Sequence, residues 1–133
     1  MDIFKADSRP ANQGDPEYFT GEVTLEPIIS APEPARVFAA RVTFSPGART
    51  AWHTHGLGQT LYVLSGIGRI QKEGEAIQEI LPGDTIWIAP DEKHWHGAAS
   101  DTAMCHIAIQ ETVEGSNAEW LEKVTDEIYD PEG

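Results

Sequence analysis

The 133 residues include a single cysteine, Cys105, so the chain can form no internal disulfide. That fits a reducing compartment, and the expected location is the cytoplasm. Positive charge is also scarce: 9 Lys and Arg stand against 22 Asp and Glu, for a net charge of −13. A surface of that sign repels phosphate backbones and anionic lipid headgroups, so neither nucleic acid nor membrane is an expected partner. No stretch approaches the roughly 20 apolar residues that span a bilayer. The opening Met1-Asp2-Ile3-Phe4-Lys5-Ala6-Asp7 lacks the basic region and apolar run of a signal peptide. Internal repeats and low-complexity segments are absent as well.

Turn residues and histidines are what the chain does have. Pro46-Gly47, Gly66-Ile67-Gly68, Glu73-Gly74 and Pro82-Gly83 each suit a tight reversal. Between such turns lie short runs rich in β-branched and aromatic residues. They predict strands near Gly21–Ile29, Arg36–Phe44, Thr50–His55, Thr60–Leu64, Arg69–Lys72, Ala76–Ile80, Thr85–Ala89, His94–Ala98 and Ala103–Glu111. Many short strands with regular turns indicate an all-β sandwich or barrel in one domain, residues 1–133, with its core near 36–112. Residues 1–20 read as an arm. One helix is expected near 117–128: Ser116 is a candidate N-cap with Glu119 as its capping-box partner, and Trp120, Leu121, Val124 and Ile128 recur at helical spacing.

The five histidines, His53, His55, His94, His96 and His106, all fall inside the predicted strand core. A histidine standing alone is more often a hydrogen-bonded core residue than a ligand, but a cluster is another matter. His53 and His55 are two apart, so in an extended strand both point to one face and can meet on one cation. Gln59 follows across Gly56-Leu57-Gly58 and shares a face with Leu61 and Val63.

The spacing Gly47, His53, His55, Gln59, Gly66, followed by Gly83-Asp84, Pro90 and His94, resembles the two motifs of the cupin superfamily. The asparagine that often ends the second motif is absent, since Gly97-Ala98 follows His96. The resemblance implies a jelly-roll-like β-barrel with one divalent metal ion on His53, His55, Gln59 and His94. It makes His96 a supporting residue, although His96 has the same parity as His94. Where the familiar motif has Glu, this chain has Gln59. Three neutral imidazoles and a neutral amide leave the full 2+ charge on the ion, which favours polarising chemistry over oxygen activation. Mn²⁺ is the favoured ion, with Zn²⁺, Fe²⁺ and Ni²⁺ as alternatives.

A closer resemblance runs through Val42-Thr43-Phe44-Ser45-Pro46-Gly47-Ala48-Arg49-Thr50-Ala51-Trp52-His53-Thr54-His55, Leu57-Gly58-Gln59-Thr60, Glu92-Lys93-His94-Trp95-His96-Gly97-Ala98 and Ile107-Ala108-Ile109-Gln110-Glu111. These segments are similar to small bacterial cupins that act as manganese-dependent (R)-selective hydroxynitrile lyases. The likeness implies cleavage or formation of cyanohydrins from an aromatic aldehyde and hydrogen cyanide. It implies His106 as general base, with Ala40, Val42 and Gln110 around a small-molecule substrate and Leu61 and Val63 as further walls. It also turns Ile107 and Ile109 away from the site, so a second sheet, the C-terminal helix or a neighbouring subunit must cover them. Cupins often assemble as homo-oligomers, and a dimer or tetramer is expected. Another metal-dependent cupin enzyme (dioxygenase, isomerase or decarboxylase) or a non-catalytic small-molecule-binding cupin are the competing readings.

Overall fold

Alternation of apolar and polar residues is clearest in Val37–Phe44, where Ala40, Val42 and Phe44 are buried and Arg41 is exposed. In the computed structural model, which describes all 133 residues, this run is one of thirteen strands. They are β1 (Asn12–Gln13), β2 (Phe19–Thr20), β3 (Val23–Ser30), β4 (Val37–Phe44), β5 (Arg49–Thr50), β6 (His53–Thr54), β7 (Gln59–Gly66), β8 (Gly68–Lys72), β9 (Gln78–Ile80), β10 (Thr85–Ile88), β11 (His94–Ala98), β12 (Met104–Glu111) and β13 (Glu119–Trp120). One short helix, α1 (Asp126–Tyr129), follows.

The strands form two antiparallel sheets. The first runs β1-β3-β4-β12-β7-β10. In the second, β11 is central: β5 and β6 pair with it, β2 and β13 pair with those two, and β8 pairs with β11 and with β9. The core between the sheets is built on Phe44, Leu61, Val63 and Met104, each at most 1% exposed. Burying a side chain of this size contributes roughly 1.5–3 kcal/mol.

The predicted strand Thr50–His55 is interrupted. Ala51 and Trp52 leave the ladder, and their amides donate to Tyr18 O and Glu122 O instead. His53 re-enters opposite His94, which sets the two imidazoles side by side. Gly58 (φ +82°) closes the turn before β7, and a Cβ there would meet Trp87 at 2.5 Å. Gly66 (φ +82°) ends β7, where a Cβ would fall 1.8 Å from Ala103 O.

Two expectations need correction. Residues 1–20 are not simply an arm: β1 pairs with β3, β2 pairs with β5, and Phe19 is buried. The helix expected at 117–128 shrinks to Asp126–Tyr129, capped by Thr125 and not Ser116. Glu119–Trp120 is a strand on β6, and the pairing continues as Leu121 N donates to Trp52 O. Non-local pairing partners outbid a helix that would be marginal by itself. Leu121 and Ile128, assigned to an apolar stripe, are partly exposed, and only Val124 is deeply buried. It joins Trp52, Trp95 and Tyr129 in a small second core. The Arg49 guanidinium donates to Val124 O (2.7 Å) and Asp126 Oδ1 (2.8 Å), and the Tyr129 hydroxyl donates to Ala98 O (2.6 Å), anchoring the tail.

Ile107 and Ile109 lie on the outer face of the first sheet. No helix or second sheet covers them: α1 packs through Tyr129 on Trp95 of the other sheet, and Ile109 is 38% exposed. On the same face the Cys105 thiol is buried beneath Arg41 and Thr43.

Candidate metal centre

Five imidazoles and two carboxamides meet between the sheets. His53, His55, His94 and His96 come from the second sheet and its adjoining turn, whereas Gln59, His106 and Gln110 come from the first. All seven are buried. The ring centroids of His53 and His94 are 4.2 Å apart, those of His53 and His55 5.0 Å, and those of His55 and His94 5.5 Å.

Backbone carbonyls settle which nitrogen of three rings is free. His53 Nδ1 donates to Ala51 O (2.9 Å), His94 Nδ1 to Glu92 O (2.9 Å) and His55 Nδ1 to Asn117 O (2.5 Å). A carbonyl only accepts, so in each neutral ring the hydrogen sits on Nδ1 and Nε2 carries a bare lone pair. Gln59 Nε2 donates to Gln110 Oε1 (3.0 Å), and in this orientation Gln59 Oε1 remains as an acceptor facing the histidines. His55 Nε2, His94 Nε2 and Gln59 Oε1 are buried with no hydrogen-bond partner. Each unsatisfied buried group costs about 1–3 kcal/mol. A cation offsets that cost by drawing on all of these lone pairs together.

His96 and His106 behave differently. His106 Nε2 and His96 Nδ1 are bonded to each other at 2.9 Å, which leaves His96 Nε2 and His106 Nδ1 without partners. Donor nitrogens of His53, His94 and His96 all lie within 4.8 Å of one another, so the tightest trio includes His96 in place of His55. The two trios share His53 and His94. They differ in whether the third ring is oriented by the backbone or by another side chain.

Burial keeps the whole cluster neutral. It pushes His94 and His106 down to about 4 and lowers His53, His55 and His96 as well, with neighbouring imidazoles adding to the effect on His53 and His96. Neutral imidazoles are the form that ligates a metal or accepts a proton.

The cluster opens into a cavity of about 460 Å³. Ala40, Val42, His106 and Gln110 line one side of it, and Tyr18 and Trp120 stand on another. Leu61 and Val63, expected as walls, are wholly buried in the core and do not reach the cavity. Asn117, Trp120 and Tyr18 escaped the sequence reading. Trp120 was assigned to a helix, and nothing local marks a backbone carbonyl as a partner of His55.

The cupin domain family matches residues 40–109. An (R)-mandelonitrile lyase from Granulicella tundricola is 55% identical over 129 residues, covering 97% of this chain and 98% of that protein. Among solved structures, a cupin-like protein from Thermotoga maritima is 37% identical with a TM-score of 0.87, covering 98% of this chain and 96% of its own. The polyketide cyclase RemF from Streptomyces resistomycificus shares the fold at 19% identity and a TM-score of 0.69, over 98% of this chain and 91% of its own.

Proposed function

The chain belongs to the cupin domain family, and on that premise we propose that it is a metal-dependent lyase that cleaves, and in reverse forms, cyanohydrins of aromatic aldehydes. One observation carries the reading. A neutral histidine with a free Nδ1, His106, shares a cavity with the unpartnered His55 Nε2 and Gln59 Oε1 and with His53, whose Nδ1 is bound to Ala51 O, in a chain 55% identical to an (R)-mandelonitrile lyase.

The proposed ligands are His53, His55, Gln59 and His94, with His55 preferred over His96 because the backbone fixes its Nε2. Mn²⁺ is the favoured ion. Bound there, a divalent ion supplies a Lewis acid for developing charge on oxygen or cyanide, undiminished by any carboxylate. The protein does the rest. His106, with the shared hydrogen on its Nε2 donated to His96 Nδ1, takes the hydroxyl proton at Nδ1. As the C–CN bond breaks, the C–O bond becomes the aldehyde carbonyl. Cyanide leaves and recovers the proton from His106 as hydrogen cyanide. Gln110 Oε1 is engaged by Gln59, so its amide N–H groups are the donors available to a substrate oxygen or nitrile. Ala40 and Val42 are small, leaving room for an aryl group and few water sites.

The proposal extends to a homo-oligomer, dimer or tetramer, in which a second copy covers the outer face of the first sheet. On a chain of net charge −13, that face carries Tyr62, Leu64, Trp87, Ile107 and Ile109, with Glu26 beside Arg41 at one edge and with Arg41 and Glu111 as the flanking charges. A two-fold axis between the latter two sets each opposite its counterpart. Light scattering checks this, with Tyr62→Glu expected to yield monomers.

Mandelonitrile cleavage by metal-loaded protein tests the enzymatic reading. Turnover is expected for wild type and not for His94→Ala. Absence of turnover with every divalent ion tried overturns it.

A further inference from the structure

The segment Asn117–Trp120 touches two of the proposed ligands in different ways. Its Asn117 carbonyl accepts from His55 Nδ1 at 2.5 Å. Two to three residues on, β13 pairs with β6 so that Trp120 lies directly opposite His53. The Trp120 indole packs against the His53 imidazole, with centroids 4.6 Å apart and planes 32° apart. It also stacks on Tyr18 at 4.9 Å and 15°, and leans on Phe19 at 5.5 Å. The His53 ring has one hydrogen bond, Nδ1 to Ala51 O, so its plane is set otherwise by packing, against His94 at 4.2 Å and against the Trp120 indole.

We propose that Trp120 is a positioning residue of the metal centre: braced by Tyr18, it sets the ring plane of His53, and the strand that carries it also presents the carbonyl that orients His55. The inference rests on the ligand set proposed above. Loss of a group that orients a metal ligand typically weakens metal affinity by about 10–100-fold. Backbone pairing to β6 does not depend on the side chain, so Trp120→Phe, which keeps a flat ring in place, should retain most of the affinity.

The test is titration of metal-free protein with Mn²⁺, read by calorimetry and by the electron paramagnetic resonance spectrum of the bound ion. Wild type, Trp120→Ala, Trp120→Phe and Tyr18→Leu are compared. Tyr129→Phe serves as a control that loosens the tail anchor without touching either ring. The expected result is Mn²⁺ affinity weaker by about tenfold or more in Trp120→Ala with a broadened spectrum, recovery in Trp120→Phe, a smaller loss in Tyr18→Leu and none in Tyr129→Phe. Should Trp120→Ala not fold, Tyr18→Leu and Trp120→Phe decide. Wild-type affinity in Trp120→Ala, or in Tyr18→Leu where that variant decides, overturns the inference and leaves the metal centre standing. A wild-type protein that binds no divalent ion overturns the metal centre itself.

Discussion

The histidines divide into two groups within one cavity. His53, His55 and His94 each give Nδ1 to a backbone carbonyl. His96 and His106 give a nitrogen to each other. A carbonyl cannot donate, so the first group has a fixed hydrogen and a fixed lone pair. An imidazole can do either, so in the second group one hydrogen lies between two rings, and its position decides which outer nitrogen is bare. A permanent lone pair suits a ligand. A ring whose proton can be taken up on one side while another is held on the far side suits acid–base work. Two chemistries are thus separated by hydrogen-bond partner, with burial much the same.

The largest effect expected on that division comes from its first group. His94→Ala removes a proposed ligand whose Nε2 has no other partner, so bound metal and mandelonitrile turnover should both be lost. Metal analysis and the cleavage assay on the same sample check it, and full metal occupancy would place the ion elsewhere. The next effect comes from the second group. His106→Ala should lower turnover by roughly 10²–10⁴-fold, the usual contribution of a positioned base, with metal content unchanged. Metal lost together with activity would mean that the two groups are one.

How far this division could be read in advance depended on distance along the chain. His53, His55 and Gln59 lie close together, and the alternation of an extended backbone is enough to set them on one side. The inward parity of Ala40, Val42, His106 and Gln110 was legible for the same reason, once the resemblance settled which face of β12 looks in. What stayed hidden is non-local. Trp120, Leu121, Val124 and Ile128 fit helical spacing, yet free backbone groups of Trp52 and His53 recruit the segment into a sheet. The two-residue strands β1 and β2 are too short to show any period. His96 shares the parity of His94, and its pairing with His106 arises only because β11 and β12 belong to facing sheets.

A third effect is common to both groups and so bounds what the comparison means. Burial holds His94 and His106 at about 4 and lowers the other three. The unfolded chain takes up protons below about pH 6.5, and the folded chain resists until about pH 4. Their contribution is therefore complete above about pH 6.5 and lost as pH falls. By pH 5 the loss is about 2 kcal/mol for each of His94 and His106. Urea unfolding of metal-free protein at pH 8 and pH 5 measures it, and equal midpoints would show that the cavity does not keep its histidines neutral.

The smallest effect is the one that separates the groups most finely. His96 belongs by hydrogen bonding to the second group and by distance to the first, since its nitrogen lies within 4.8 Å of those of His53 and His94. If bonding governs, His96→Ala keeps the metal, because His53, His55, Gln59 and His94 are intact. It deprives His106 Nε2 of its acceptor, and the base is left poorly oriented. Turnover should fall about tenfold, less than in His106→Ala, with the Mn²⁺ spectrum unchanged. His55→Ala should do the opposite and release the ion, because the Asn117 carbonyl holds that ring for ligation alone. Metal kept in His55→Ala and lost in His96→Ala would exchange the two residues. The ion would then sit one ring deeper, and His106 would have to act with its partner already spent on the metal.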